Sequence, residues 1–498
     1  MTAVGTGRLT IDRPLPAIVG GQARPVPTVL PAVEPATGRT WAQVADCDGA
    51  VVAEAVTAAA TAFETWRSTS LAERQAALWA VADRLTATAA DWPALLATEN
   101  GRAIREAALI DVPTAAEIFR YFAGMARAVH GETIQGAPES SHVYTTREPL
   151  GVIAAIVPWN SPLISVAHKL APALAAGNTV VVKPSELASV STVRFVEAIA
   201  DLLPPGVVNV VTGYGATAGD ALVTDPRIAK ISFTGGTESA RTILGRAGAR
   251  LTPALMELGG KGSLVVGPDA DLDTLTEDVL TGVFAANGEV CFAASRLLAH
   301  ADVHDELLER ITARADRIRV GDPLDPATQL GPLISVAHRD RVAEAVDRAV
   351  AEGATVCAGH RVPELDGELG GGAFYRPTVL ADPDGRTSAS CDEFFGPVLT
   401  VERWTDEDDA VARANAVAYG LAGGVWTTDL ARAHRIARRL QTGMVWVNTW
   451  FATPLGQPQG GIKASGFGRE GAAETVREYQ ASKVVNVSLD TARPPMWD

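Results

Sequence analysis

From Gly151 onward, short apolar runs alternate with longer segments of helical length. Residues 152–157, 179–182, 207–211 and 228–233 read as strands buried on both faces. A strand with one wet face would alternate apolar and polar side chains instead. The intervening segments 163–175, 191–203 and 239–247 have the length and composition of helices. This alternation predicts a parallel sheet with helices on both sides. A second α/β stretch runs from about residue 263 to 448. In it, Asp302 is expected to cap a helix carrying Leu307, Leu308 and Ile311, and Gly443 to end the helix before a strand at 444–447.

Upstream of Gly151 the chain reads as helical after a Pro-rich lead. Ser70-Leu71-Ala72-Glu73 has the capping-box pattern, and Leu71, Leu78, Val81, Ala82 and Leu85 fall on one helical face. The strand-like segments 142–146 and 483–487 either add to another subunit's sheet or are ordinary edge strands. The Gly-rich piece 367–372 reads as a loop, and no internal repeat or low-complexity linker stands out.

A chain of 498 residues is too long for one compact core and implies two or three domains. Hydrophobic residues at 47% and charged residues at 20% give an ordinary globular balance. The net charge of −15, with only six lysines and no basic run, argues against nucleic-acid or anionic-membrane partners. The first residues lack an apolar signal core, and no run of about 18 apolar residues suggests a membrane span. Cys47, Cys291, Cys357 and Cys391 lie far apart with no C-x-x-C pair. That is neither a disulfide framework nor a thiolate metal site, and a reducing cytoplasm fits it best. Any one of these cysteines, taken alone, reads first as a small buried hydrophobe.

Several tempting motifs fail on spacing. Gly213-Tyr214-Gly215-Ala216-Thr217-Ala218-Gly219 is G-x-G-x-x-x-G with no suitable acidic residue downstream, and reads as a strand-to-helix turn. His300 and His304 have metal-like spacing, but a cap at Asp302 would put them on a loop and a first turn, so no metal is expected. Gly260-Lys261-Gly262 lacks the upstream Gly and following Ser or Thr of a phosphate loop. No G-x-S-x-G occurs.

Three segments survive. Met256-Glu257-Leu258-Gly259-Gly260-Lys261 places a carboxylate at an apolar strand end, where desolvation would raise its pKa and suit it to general-base work. The alternative is a structural Glu paired with a nearby Lys or Arg. Asn287-Gly288-Glu289-Val290-Cys291-Phe292 puts a cysteine just after a Gly-containing loop. Pro158-Trp159-Asn160 puts an amide at the end of a buried strand, where open α/β sheets place ligands. There Asn160 either donates to an oxyanion or caps a turn.

Of these, Glu257-Leu258-Gly259-Gly260-Lys261 and Gly288-Glu289-Val290-Cys291 resemble the two active-site signatures of the aldehyde dehydrogenase superfamily, and Pro158-Trp159-Asn160 resembles a further segment of that family. Val182-Lys183-Pro184-Ser185-Glu186, Phe233-Thr234-Gly235, Glu393-Phe394-Phe395-Gly396-Pro397-Val398 and Gly460-Gly461-Ile462-Lys463-Ala464-Ser465-Gly466 also match, in the family's order, as does Glu34-Pro35-Ala36-Thr37-Gly38 near the start. The resemblance implies an α/β fold of two doubly wound parallel-sheet domains plus a small β extension for oligomerisation. It implies a flexible lead over 1–20 and a dinucleotide-binding domain over 21–130 and 150–259. A catalytic domain would cover 260–465, with oligomerisation strands at 131–149 and 470–490.

The resemblance also assigns roles. Cys291 is the nucleophile, Asn160 and the Cys291 N–H hold the oxyanion, Glu257 activates water, and Lys183 is counted with them among the catalytic residues. Lys183 and Glu186 are similar to the pair that binds the adenosine ribose, which favours NAD over NADP because a carboxylate repels a 2′-phosphate. Pro158, Trp159, Ser185 and Leu258 belong to the same cofactor site. Phe233, Gly235 and Gly236 open the helix that faces the pyrophosphate, Glu393 holds the nicotinamide ribose, and Phe395 packs near the ring. Gly236, Ala240, Glu289 and Gln459 depart from commoner family residues. The substrate wall is expected at Ser161, Ile164, His168, Ala285 and Phe292, and at Trp450, Phe451, Thr453 and Gln459. Because Ser161, Ala285 and Gln459 replace frequent aromatics, a wide, polar-tipped tunnel for a bulky aromatic or terpenoid-like aldehyde is expected. The family implies a homodimer or homotetramer. A CoA-acylating semialdehyde dehydrogenase, an NADP-preferring enzyme and a non-catalytic protein of the same fold are the competing readings.

Overall fold

The computed structural model describes residues 2–4, 8–490 and 496–497. Its framework is two open, mostly parallel sheets. The first has eight strands, in the order Gly466–Phe467, Ala254–Glu257, Ile228–Thr234, Val152–Val157, Thr179–Pro184, Val208–Val210, Ala17–Val19 and Gln22–Arg24. The five strands from Ala254–Glu257 to Val208–Val210 run parallel, and antiparallel strands close both edges. The uninterrupted apolar run at 152–157 has a direct cause. Ile153, Ala155 and Val157 enter the core beneath helices Leu71–Ala87, Val112–Met125 and Pro162–Ala176. Val152, Ala154 and Ile156 enter the opposite core, beneath Gly49–Trp66 and Thr237–Gly248. With successive side chains on opposite faces and both faces covered, every position must be apolar.

The second sheet has seven strands, in the order Thr355–Ala358, Thr378–Ala381, Val398–Trp404, Arg296–His300, Ser263–Val266, Ala422–Trp426 and Met444–Val447. Only its first pair is antiparallel. Leu264 and Val266 pack towards helices Leu272–Phe284 and Ala301–Ala315, whereas Val265 and Leu298 pack towards Glu407–Asn415 and Leu430–Arg439. After this sheet the chain returns to the first one, where Gly466–Phe467 pairs antiparallel beside Glu257. Ser141–Pro149 and Gln480–Ser488 pair with each other, in register from Gln480↔Pro149 to Ser488↔Ser141, as a ribbon apart from both sheets.

Some local expectations are corrected. Of the 1–20 lead, residues 1 and 5–7 lie outside the described residues. The remainder includes Arg8, ion-paired with Glu34 and Asp322, and strand Ala17–Val19 of the first sheet, so it is not a loose lead. The Ser70–Glu73 capping box forms, and Leu78, Val81, Ala82 and Leu85 are buried, but Leu71 in the first turn is exposed. Helix Ala301–Ala315 starts one residue before Asp302. Its cap is His300, whose Nδ1 accepts the Asp302 N–H at 3.2 Å, while the Asp302 charge sits in the first turn, where the helix dipole favours it. Helix Leu430–Arg439 ends before Leu440, so Gly443 does not terminate it.

Candidate active site

Parallel strands place their carboxyl ends together, and here two of those ends carry chemistry. Val152–Val157 runs out through Pro158 and Trp159 to Asn160 and Ser161, just before helix Pro162–Ala176. Two strands away, Ala254–Glu257 ends on Glu257. Cys291 arrives from the second unit. After helix Leu272–Phe284, Ala286, Asn287 and Gly288 have φ of +50, +60 and +73°, which reverses the chain. Left-handed non-glycine residues cost about 1–3 kcal/mol each and persist only when surrounding bonds hold them. The Asn287 amide donates to the Gly101 and Pro332 carbonyls at 3.1 and 2.8 Å, and its oxygen accepts the Gly331 N–H at 2.8 Å. The Ala286 N–H donates to Glu106 at 2.9 Å. Gly260 allows the loop to close, since a Cβ there would lie 2.6 Å from the Cys291 carbonyl oxygen.

Asn160, Glu257 and Cys291 thereby line one cavity of about 570 Å³. Cys291 is half-buried, and its enclosure together with the Glu257 and Glu393 carboxylates pushes the thiol up, so at rest it is protonated. Burial, then the like charge of Glu470, raises Glu257 well above the ordinary carboxylate range, against the pull of Lys169 and Arg469. Its Oε1 is buried without a partner. Gly460, at φ +146°, makes room for it: a Cβ there would lie 2.6 Å from that oxygen. Behind Glu257 runs a buried polar chain. Lys169 pairs with Glu470 at 3.0 Å and donates to the Ser232 hydroxyl at 3.2 Å, which also receives the Tyr479 hydroxyl at 2.9 Å.

The Asn160 amide donates to the Glu289 carbonyl at 2.7 Å, which orients it and leaves one amide hydrogen unused. Its backbone carbonyl is held by Asn100 at 3.3 Å and by Arg102 at 3.0 Å. Arg102 also donates to Ser161 Oγ at 2.8 Å and makes two 2.7 Å bonds to Asp111, both side chains being almost fully enclosed.

Of the expected wall residues, Ser161, Ile164, His168, Ala285 and Phe292 line the cavity, as do Phe451, Thr453 and Gln459. Trp450 does not. It is buried behind Phe292, whose carbonyl accepts its Nε1–H at 3.0 Å, and it packs against Trp446. Sequence reading missed the opposite wall, formed by Arg102, Glu106, Leu109, Ile110 and Thr114, together with Glu470 from the return segment. No sequence signal marked it; the fold leaves Leu109 and Ile110 77% and 47% exposed at this wall.

The expected cofactor residues gather beside this cavity. Lys183 does not line the cavity. It is buried at the end of its strand, with Nζ bonded to the Pro184 carbonyl at 2.9 Å and 3.7 Å from Glu186, so it belongs with Glu186 and Ser185 and not with Cys291. Phe233 is buried next to the end of strand Ile228–Thr234; Gly235 follows the strand, and Gly236 precedes helix Thr237–Gly248 without any side-chain cap. Ala240 is buried within that helix. Leu258 is buried, its N–H donating to the Ser465 carbonyl. Glu393 accepts the Gly260 N–H at 2.8 Å, and burial pushes its carboxyl up to about 7. Phe395, at φ +55°, meets the Trp159 ring edge-on at 5.3 Å, with Pro158 just before that tryptophan. His338, unforeseen from sequence, contacts Trp159 at 5.5 Å and lies 2.7 Å from the Phe395 carbonyl. A carbonyl oxygen can only accept, so Nε2–H is the donor there, and burial lowers the pKa of the ring to about 4.

Among the described residues no group of three or more His, Cys, Asp or Glu is placed to hold a metal ion, and no helix is long and apolar enough to cross a membrane.

The model of the aldehyde dehydrogenase family matches residues 23–485. A protein of Mycobacterium tuberculosis described as a probable aldehyde dehydrogenase is 42% identical over 459 residues, 91% of this chain and 90% of its own. The crystal structure of PnpE from Pseudomonas sp. WBC-3 superposes with a TM-score of 0.94 at 38% identity, covering 97% of this chain and 100% of that one. That of betaine aldehyde dehydrogenase from Staphylococcus aureus, in complex with NAD+, gives 0.94 at 32% identity over 97% of both chains. This chain belongs to the aldehyde dehydrogenase family.

Proposed function

We propose that this protein is an NAD-dependent aldehyde dehydrogenase that oxidises a bulky, aromatic or terpenoid-like aldehyde to its carboxylic acid with water as the acyl acceptor. The observation that carries the reading is the meeting of Cys291, Glu257 and Asn160 on one cavity from three distant segments. The residues beside it suit a dinucleotide. Glu186 is a half-buried carboxylate able to accept from a ribose diol, and Glu393 has only the Gly260 N–H on one of its oxygens. Helix Thr237–Gly248 begins without a side-chain cap, which leaves its first N–H groups for a pyrophosphate. Glu186 favours NAD over the extra phosphate of NADP.

Glu257, with its raised pKa, takes the proton of the neutral Cys291 thiol, and the thiolate adds to the aldehyde carbon. The new oxyanion is held by the unused Asn160 amide hydrogen and the Cys291 backbone N–H. Bound NAD supplies the acceptor for the hydride that leaves when this thiohemiacetal becomes a thioester. Once Glu257 has released the thiol proton to solvent it deprotonates water for attack on the thioester, and Cys291 leaves as a thiolate that takes that second proton back from Glu257. The Lys169–Glu470 pair and the Ser232–Tyr479 hydroxyls give that proton a connected polar surrounding. The ribbon of Ser141–Pro149 and Gln480–Ser488 leaves Val484 exposed on Gln480–Ser488, whose outer edge suits pairing between subunits in a cytoplasmic homodimer or homotetramer.

The test is NADH formation by wild type and Cys291→Ala over aldehydes from acetaldehyde to aromatic and terpenoid members, with and without CoA. Turnover should require Cys291, yield free acid, ignore CoA and favour the bulky members. Equal silence of both proteins would remove the cysteine assignment, a CoA requirement would replace water as acceptor, and a preference for acetaldehyde would remove the bulky substrate.

A further inference from the structure

Helix Pro162–Ala176 and its cap turn three polar side chains to the cavity: Ser161, Ser165 and His168. Their spacing of four and then three puts them on one helical face. His168 is 91% buried, yet neither ring nitrogen bonds to any described residue, and its Nδ1 is wholly enclosed. A buried polar group without a partner is costly and uncommon, so an imidazole left this way on a cavity wall is a binding feature awaiting its partner.

We infer that His168, helped by Ser161, recognises an uncharged hydroxyl group on the substrate, so that the preferred substrate is a hydroxyl-bearing aldehyde. This rests on the reaction proposed above and narrows its substrate class. Burial and the neighbouring Lys169 lower the affinity of His168 for a second proton, although Glu470 opposes them. A neutral imidazole offers one donor and one acceptor. With Nδ1 enclosed, Nε2 is the nitrogen that a ligand can reach. A hydroxyl can donate to it or accept from it in either tautomer, whereas a carboxylate can only accept and an ammonium can only donate. Ser161 Oγ already receives an Arg102 N–H at 2.8 Å, which leaves the serine proton for a second acceptor.

The charges around the cavity point the same way. Arg102 is matched by Asp111, and Lys169 by Glu470, so neither offers an unpaired cation to an acidic substituent. Burial raises the Glu106 and Glu257 carboxyls, which weakens them as partners for a cationic one. The apolar part of the wall includes the edge-to-face pair Phe292 and Phe451, centroids 5.3 Å apart, which suits the body of an aromatic substrate.

The experiment compares kcat/KM for matched aromatic aldehydes with and without a ring hydroxyl, and with a ring carboxylate, in wild type, H168F and H168N. Wild type should prefer a hydroxylated member by about tenfold, the worth of one hydrogen bond, and disfavour the carboxylated one. The ratio should collapse towards one in H168F, whatever that variant's absolute rate, and survive in part in H168N, which retains a donor and an acceptor. Turnover of hydroxylated and plain aldehydes with equal efficiency by wild type overturns this inference while leaving the reaction intact. So does a preference that persists undiminished in H168F. If wild type oxidises no aldehyde, the reaction falls and the inference with it.

Discussion

Arg102→Met tests whether the buried Arg102–Asp111 pair is what holds the Asn160 amide proposed to bind the oxyanion. Two 2.7 Å bonds join the side chains, which are 6% and 2% exposed, and Arg102 also holds the Asn160 carbonyl at 3.0 Å and Ser161 Oγ at 2.8 Å. Burial already pushes the Asp111 carboxyl up against the pull of Arg102. Removing the guanidinium leaves that carboxyl enclosed and unpaired, at a cost of about 3–5 kcal/mol. Protonation of Asp111 limits the loss to this range. At roughly 2 °C per kcal/mol for a unit of this size, Tm should fall by about 6–10 °C. The double variant R102M/D111N removes both charges, so its stability should recover to above that of either single variant, with a coupling of at least about 2 kcal/mol. Catalysis should behave differently. Neither R102M nor the double variant restores the tether on the Asn160 carbonyl, so kcat/KM should fall by about ten- to a hundredfold in both, within the range for a displaced oxyanion donor. Thermal unfolding and steady-state NADH formation on the three variants provide the readouts. Additive stability losses, or R102M with wild-type kcat/KM, would refute the reasoning.

Four further outcomes follow from Glu257 and its surroundings. Glu257→Gln should slow turnover by about 10²–10⁴-fold without a burst of NADH, because thiol deprotonation and hydrolysis lose the same base; a full, fast burst of one NADH per Cys291 contradicts the assignment of the thiol proton to Glu257. The same variant should be the more heat-stable protein at pH 8. A carboxyl whose folded pKa lies above its unfolded value of about 4.5 loses stability as pH rises through the interval between them, and glutamine removes that penalty; an unchanged or lower Tm at pH 8 would count against it. Glu470→Gln removes a cause that raises Glu257, so the acidic limb of the kcat–pH profile should move to lower pH, and a shift the other way contradicts the assigned cause. Gly460→Ala combines a φ of +146° with a Cβ 2.6 Å from Glu257 Oε1, so it should cost about 1–3 kcal/mol of stability and lower kcat/KM, as thermal melts and rates will show.

The parallel strands of the first sheet were legible in the sequence because their cause is local; its antiparallel edge strands were not. A strand covered on both faces must be apolar throughout, and 152–157 is. The need for a glycine at position 260 was not legible, because the Cys291 loop that approaches it comes from a later segment of the chain. Local pattern failed where two residue types compete for one role. His300 took the cap expected of Asp302, and Trp450 turned behind Phe292 and out of the cavity wall.

By itself, then, the sequence determined the alternation of buried strands and helices, the strand-end position of Glu257 and Asn160, and the glycine-bounded loop bearing Cys291. Only the tertiary structure decided what surrounds them. Glu470 reaches Glu257 because the chain returns as Gly466–Phe467 to a sheet it left about 200 residues earlier. The Arg102–Asp111 clamp meets Asn160 because helix Val112–Met125 and the turn before it pack on Pro162–Ala176. The ribbon likewise joins segments more than 300 residues apart in the chain. Such encounters depend on how sheets and helices stack over long loops, and residue spacing along the chain does not encode them.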